Sequence, residues 1–178
     1  SLKIIIVGDG KVGFTLAEHL SQEEHDITVI DTNDAALRHA SEALDVMCVK
    51  GNGASISALR ESGVDAADVL IAATSMDEVN MVCCLTAKRL GAKYTIARVR
   101  NVEYAMELSL LKEALGIDLV INGNAAAAEI ARLLRFPPAA NLETFCRGRV
   151  ELIGFRGAGG KAGVFLPTAA GMPLRSPI

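Results

Sequence analysis

Lys3-Ile4-Ile5-Ile6-Val7-Gly8-Asp9-Gly10-Lys11-Val12-Gly13 is the stretch that decides the fold of this chain. A run of β-branched apolar residues reads as a strand buried on both faces. Gly8, Gly10 and Gly13 stand where that strand turns into a helix that continues from Phe14 to Leu20. Gly8 permits the tight turn, Gly10 lets backbone approach a pyrophosphate with no Cβ in the way, and Gly13 lets the helix pack closely on the sheet. The whole turn, Gly8, Asp9, Gly10, Lys11, Val12 and Gly13, is therefore read as a phosphate site, with the anion on free N–H groups at the positive end of the helix.

The next strand, Ile27-Thr28-Val29-Ile30-Asp31, ends on a carboxylate able to accept hydrogen bonds from both hydroxyls of a ribose. Asp31, with Thr32 beside it, supplies the second half of a nucleotide site. Its charge repels a 2′-phosphate, and neither Thr32 nor Asn33 brings an arginine to bind one, so NAD(H) is favoured over NADP(H). A glycine triplet alone is a weak signal. Strand, glycines, helix and acid in order within one βαβ unit make it specific.

The chain has 178 residues, enough for one full α/β domain with a remainder too short for a second. Apolar residues make up 51% and the mean hydropathy is +0.32, yet no run reaches the length of a membrane span, so direct membrane insertion is not expected. The apolar excess instead suggests a subunit interface, and the final helix, over 125–134, is apolar enough to dock on a second copy of the chain. A formal net charge of −3 offers no basic field for nucleic acid. Ser1 leads directly into the first strand without a secretory signal, which makes the cytosol the expected compartment. Cys48, Cys83, Cys84 and Cys146 lack CxxC spacing and accompanying histidines, so they read as reduced core residues, with no metal site expected.

Beyond Asp31 the pattern alternates. A helix capped by Thr32 or Asn33 precedes a short strand, Val46–Val49, whose C-terminal end carries Gly51-Asn52-Gly53. Loops at that edge of a doubly wound sheet form the ligand crevice, so Asn52 is a candidate adenosine contact as well as a simple turn residue. A short helix ends at Gly63, and strand four, Asp68–Thr74, runs into Ser75-Met76-Asp77-Glu78, an S-x-x-E capping box for the following helix. Thr74 and Ser75 would stand beside the nucleotide. Val79, Cys83, Ala87 and Leu90 form that helix's inward stripe. Strand five ends at Arg98, a candidate for a phosphate or a partner's carboxylate, and Arg100 lies just beyond it. A helix over 102–115, strand six at 118–121 and an apolar helix over 125–134 complete the series. The expected fold is a Rossmann-like, doubly wound parallel six-stranded sheet in the order 3-2-1-4-5-6.

Pro137-Pro138 marks the first boundary, giving a nucleotide-binding domain over 1–136 and, over 137–178, a short C-terminal extension. Within that extension Val150–Phe155 reads as a strand, while Gly157–Gly160 opens no helix and is rejected as a second nucleotide loop. The expected site has binding groups and no catalytic ones. His19 and His39 fall in helices, His25 enters strand two at the wrong edge of the sheet, and all three read as surface residues. No nucleophile elbow or Walker lysine is present. Binding without chemistry points to a sensor rather than an enzyme. The alternative is the cofactor-binding fragment of an NAD-dependent oxidoreductase whose substrate domain lies elsewhere.

These residues resemble a known family. The turn at 3–13, the Asp26–Asp31 strand, Ala72-Ala73-Thr74-Ser75-Met76-Asp77-Glu78-Val79-Asn80, Ile96–Asn101 and Glu129–Pro137 are together similar to the N-terminal lobe of TrkA-type bacterial potassium-uptake proteins, the KTN or RCK domain. The resemblance implies a cytoplasmic regulatory subunit, peripheral to the inner membrane through a potassium transporter subunit that it gates. It implies a homodimer or higher homo-oligomer, with NAD(H) or ATP/ADP as the ligand. The glycines and Asp31 match the family's nucleotide turn and ribose contact, Thr74 a strand-four contact, and Arg98 a basic position near phosphates or a neighbouring subunit. Where family members often carry Gly-Asp after strand three, this chain has Gly51-Asn52. Val150–Phe155 and Gly171–Arg175 resemble the opening of the family's C-terminal lobe, which makes the extension an incomplete start of that lobe.

Overall fold

The structure is a computed structural model that describes residues 1–122, 126–135 and 151–153. Strands β1 (Lys3–Val7), β2 (Asp26–Asp31), β3 (Met47–Lys50), β4 (Val69–Ala72), β5 (Tyr94–Arg98), β6 (Leu119–Ile121) and β7 (Glu151–Ile153) form one sheet. Its order is β3-β2-β1-β4-β5-β6-β7 and every pairing is parallel. The expected order 3-2-1-4-5-6 is thus present, and β7 extends it. Glu151–Ile153 adds to the edge of this sheet, Leu119 pairing with Glu151, although its sequence reads as the first strand of a further lobe.

The helices are α1 (Lys11–Ser21), α2 (Asp34–Ala43), α3 (Ile56–Glu61), α4 (Asp77–Leu90), α5 (Val102–Leu115) and α6 (Ala126–Leu133). Continuous apolar strands are required because successive side chains point to opposite faces and both faces are covered. On β1, Ile4 and Ile6 join Leu16, Leu20, Leu37 and Ile130 in one core layer. Ile5 and Val7 join Leu59, Cys83, Ala87 and Leu108 in the other. Cys83 and Cys84 are reduced and buried, and burial pushes the Cys83 thiol up to about 12, so it behaves as an apolar side chain. Cys146 lies outside the described residues, as do the expected features at 136–150 and 154–178.

Three local expectations fail, each for a tertiary reason. Ser75 and Glu78 form no capping box: the residue before α4 is Met76, with no side-chain cap, and the Glu78 carboxylate accepts from the Tyr104 hydroxyl at 3.1 Å. The inward face of α4 is rotated by one position. Asn80 and Cys84 are fully buried with Cys83 and Ala87, whereas Val79 and Leu90 are only partly covered. His25 is part of the structure rather than a surface group, its Nδ1 accepting from the Leu2 N–H at 3.1 Å, and burial lowers its pKa.

The apolar side of α6 offers no docking face either. Ile130, Leu133 and Leu134 are buried in the same core layer as Leu16 and Leu20 of α1. On the opposite face, the exposed large apolar side chains of α4 and α5 among the described residues are Val82, Val102, Met106, Leu110 and Leu111. Among the described residues no helix is long and apolar enough to cross a membrane.

Candidate functional site

At the C-terminal edge of the sheet, where β1 and β4 lie side by side and their connections leave on opposite faces, the structure opens into a crevice of about 710 Å3. That volume lies within the ordinary range for small-molecule sites. Its wall includes Gly8, Gly10, Lys11, Val12, Asp31, Thr32, Asn52, Thr74, Ser75 and Arg98. Ten positions expected from five separate loops thus meet in one place.

In the glycine turn, Gly8 and Gly13 are each required by sterics. Gly8 has φ +94°, and a Cβ there would stand 2.9 Å from the Thr74 nitrogen. Gly13 faces inward: a Cβ would fall 1.7 Å from the Gly8 carbonyl oxygen, so only glycine lets α1 sit this close to the turn. At Gly10 a Cβ would meet nothing within 4 Å, which leaves open space where a ligand would approach.

The helix ends are informative. α2 is capped by Asn33 and α3 by Ser55. Neither α1 nor α4 has a side-chain cap, and these are the two helices whose N-termini, at Gly10–Val12 and Met76, border the crevice. The first-turn N–H groups of a helix have no intrahelical acceptor and carry its positive pole, so both ends suit an anion.

Asp31 is held rigidly, one carboxylate oxygen accepting from the Asp9 N–H and the other from the Asn33 N–H, each at 2.7 Å. A carboxylate has about four lone-pair sites, so capacity for two ribose hydroxyls remains. Asn52 plays the turn part, accepting from the Ala54 N–H at 2.9 Å, while also lining the crevice.

Asp9 and Gly13 do not line the crevice. The Asp9 side chain is buried, and neither of its oxygens has a hydrogen-bond partner among the described residues. Burial first, and the nearby Asp31 carboxylate second, raise its pKa to about 6, against a smaller lowering by His39. A carboxyl raised from 3.8 in the unfolded chain to about 6 contributes stability that is fully present below pH 3.8 and is lost as pH rises through 6. The difference in Tm between Asp9→Asn and the parent protein is therefore expected to change between pH 4.5 and pH 7.5, the parent losing ground as pH rises. A constant difference would place the Asp9 charge outside the buried turn.

Sequence reasoning missed Asn80. Its side-chain oxygen accepts from the Thr74 N–H at 2.9 Å and the Thr74 hydroxyl at 2.7 Å. Its amide nitrogen donates to the Thr74 carbonyl at 3.1 Å and the Arg98 carbonyl at 2.8 Å. A buried asparagine in α4 thereby ties the tips of β4 and β5 together beside the crevice. Arg98 reinforces the tie, donating from Nη1 to the Thr74 carbonyl at 3.3 Å. Asp77 accepts from the Arg100 and Asn101 N–H groups at 3.0 and 2.8 Å, which fixes the loop after β5. Gly53 was also unassigned; a Cβ there would stand 2.0 Å from Val7 Cγ1. Gly51, Gly53 and the apolar positions Val7, Ile30, Ala73, Met76 and Val79 complete the lining.

An open all-parallel sheet with a glycine turn after its first strand and an acid at the tip of its second defines a Rossmann-like domain. Comparison with known proteins makes this more specific. Residues 4–123 match the model of the TrkA-N domain, and the chain belongs to that family.

A Trk system potassium uptake protein TrkA from Halomonas elongata is 44% identical over 155 residues, 85% of this chain and 34% of the relative. A TrkA homologue from Archaeoglobus fulgidus is 40% identical over 153 residues, 85% of this chain and 35% of the relative. The chain thus spans about a third of the length of these curated relatives. Among solved structures, the TrkA-N domain of the Escherichia coli inner membrane protein ybaL shares the fold, with a TM-score of 0.60 and 23% identity over 75% of this chain and 96% of that one. The GsuK channel bound to NAD is similar over 66% of this chain and 21% of that one, with a TM-score of 0.56 and 26% identity.

Proposed function

We propose that this chain is the nucleotide-sensing lobe of a cytosolic regulatory subunit that gates a membrane potassium transporter, with NAD(H) or ATP/ADP as the ligand. The observation that carries the reading is the crevice itself, with the rigid Asp31 carboxylate at one side and two uncapped helix N-termini beside it. The names of the relatives, potassium uptake proteins in two organisms, and the NAD-bound GsuK channel support the same assignment.

Gly10, Lys11 and Val12 would hold the pyrophosphate. Asp31 and Thr32 would hold the adenosine ribose, with Asn52 near the adenosine, and Thr74, Ser75 and Arg98 would meet the far end of the ligand. The ionisable residues on the crevice wall are Lys11, Asp31 and Arg98, each suited to binding, which supports a regulator over a catalyst. Such a lobe works by population: ligand shifts the partner only as far as it binds one conformation better than the other. We place the subunit in the cytoplasm, attached to the membrane through its transporter and assembled with further copies of itself.

Calorimetric titration with NADH, NAD+, ATP and ADP tests the ligand assignment, with saturable binding expected and absence of heat at millimolar ligand contradicting it. Asp31→Ala is expected to weaken that binding by about 1–3 kcal/mol, the value of charge-assisted hydrogen bonds to the ribose. Unchanged affinity would move the ribose away from β2.

A further inference from the structure

Asp9 stands in the glycine turn between Gly8 and Gly10 without lining the crevice. It is only 7% exposed, and neither carboxyl oxygen has a hydrogen-bond partner among the described residues. A carboxylate buried in this way bears the cost of desolvation without donors to offset it. Three elements besides its own turn face it. Asp31, at the end of β2, accepts from the Asp9 N–H at 2.7 Å and sets a like charge against the carboxyl. His39 of α2, stacked on Phe14 of α1 with ring centroids 4.8 Å apart, acts in the opposite sense. Cys48 of β3 is a thiol whose pKa is raised by burial and then by the Asp9 charge, so it stays neutral.

The remaining influence is α1 itself, whose positive end begins at the next residue, Gly10, with no side-chain cap. That end is what a ligand would change. Pyrophosphate on the N–H groups of Gly10–Val12 would occupy those donors and bring negative charge to within roughly one Debye length, about 8 Å, of the neighbouring carboxyl. Negative charge added beside Asp9 and Asp31 favours the neutral form of the buried acid. His39 opposes the effect and limits its size.

We propose that nucleotide binding in this crevice is coupled to uptake of a proton by the Asp9 carboxyl, so that the lobe responds to acidification as well as to its ligand. This rests on the nucleotide reading of the crevice given above. The coupling is reciprocal: the ligand raises the affinity of Asp9 for a proton, and the proton raises the affinity of the turn for the ligand by the same factor. The free carboxyl titrates at about 6, so uptake is largest a little above that pH and fades well below it, where Asp9 is already neutral.

Calorimetry on the whole chain at about pH 6.5, in PIPES and in imidazole buffers, counts the protons taken up with NADH or ADP, because the two buffers give up a proton with different heats. The readout is the difference between the parent protein and Asp9→Asn, which cancels any proton the ligand itself exchanges. The parent is expected to take up about half a proton more than Asp9→Asn. Asparagine imitates the neutral carboxyl, so Asp9→Asn is also expected to bind about threefold or more tightly than the parent at about pH 8 and equally at about pH 5. A purely structural residue would lose affinity on substitution. His39→Gln is expected to retain the uptake. Should Asp9→Asn not fold, the pH profile of the parent carries the test. Its affinity for NADH, whose pyrophosphate does not titrate in this range, is expected to rise about threefold or more from about pH 8 to about pH 5.5. Equal proton counts in the parent and Asp9→Asn, uptake lost in His39→Gln, or a parent affinity indifferent to pH overturns the proposal and leaves the nucleotide site standing. Failure of both NADH and ADP to bind removes the nucleotide reading and the proposal with it.

Discussion

Gly13→Ala is expected to cost about 3 kcal/mol of folding stability or more, and to abolish nucleotide binding in whatever fraction remains folded. The added methyl would fall 1.7 Å from the Gly8 carbonyl oxygen and 2.8 Å from its carbonyl carbon, both backbone atoms of the turn. No rotamer change relieves that contact. α1 must move off β1, taking Leu16 and Leu20 out of the core layer they share with Ile4 and Ile6. Gly10→Ala, three residues earlier, is the matched control. Its backbone has φ −76°, which any residue adopts, and its methyl would meet nothing within 4 Å. It is expected to cost about 1 kcal/mol or less in stability while lowering nucleotide affinity, because in the proposed binding mode the methyl would enter the space of a phosphate. Chemical denaturation of the two variants separates the roles. Equal losses would mean that both glycines serve packing alone.

Asn80→Ala has the second largest expected effect. One truncation removes four hydrogen bonds and leaves the Thr74 N–H and the Arg98 carbonyl without their side-chain partner, while the Thr74 carbonyl keeps only Arg98 Nη1. Unsatisfied groups at a part-buried site cost about 1–3 kcal/mol each when water cannot replace the partner, and partial hydration at the crevice rim puts the net loss at about 3 kcal/mol. Asn80→Asp is the more discriminating variant. The carboxylate still accepts from Thr74, but it cannot donate to the Thr74 and Arg98 carbonyls, and it brings a charge to a fully buried position. Both variants are expected to melt at lower temperature and to bind nucleotide more weakly. A variant that melts like the parent would show that the tips of β4 and β5 are held by other means.

The contrast between Gly13 and Asn80 shows what was legible in the chain. The order of β1 to β6 could be read because the strands are mostly apolar, continuously so at Ile4–Val7, Val69–Ala72 and Leu119–Ile121, and such runs are demanded by helices on both faces of a parallel sheet. Helix ends were legible where one residue carries the signal, as with Asn33 before α2, and Gly63 and Gly91 at positive φ. The glycine turn and Asp31 were legible because their spacing is local.

What failed was long-range. Asn80 fell inside a helical periodicity that assigned Val79 to the core, and nothing local reveals that its partners include a carbonyl 18 residues away. The S-x-x-E pattern lost to tertiary competition, since Tyr104 takes Glu78. The apolar side of α6 looked free because its partner in the fold, α1, lies more than a hundred residues earlier. Glu151–Ile153 joined a sheet edge that β6 presents, an edge invisible until the sheet is assembled. In the site, Arg98 was recognisable as a basic residue at a strand exit. Its buried Nε and its reach over Thr74 were not.

The central claim is that a nucleotide binds with its phosphates on the N-terminus of α1 and its ribose on Asp31. The direct measurement is amide chemical-shift mapping of the 15N-labelled chain titrated with ADP. The account predicts saturable shifts at Gly10, Lys11, Val12, Asp31 and Thr32, extending to Ser75 and Met76, with the exposed face of α5 at Met106 and Leu110 unmoved. Shifts that spare Gly10–Val12, or that cluster on α5 instead, would contradict it.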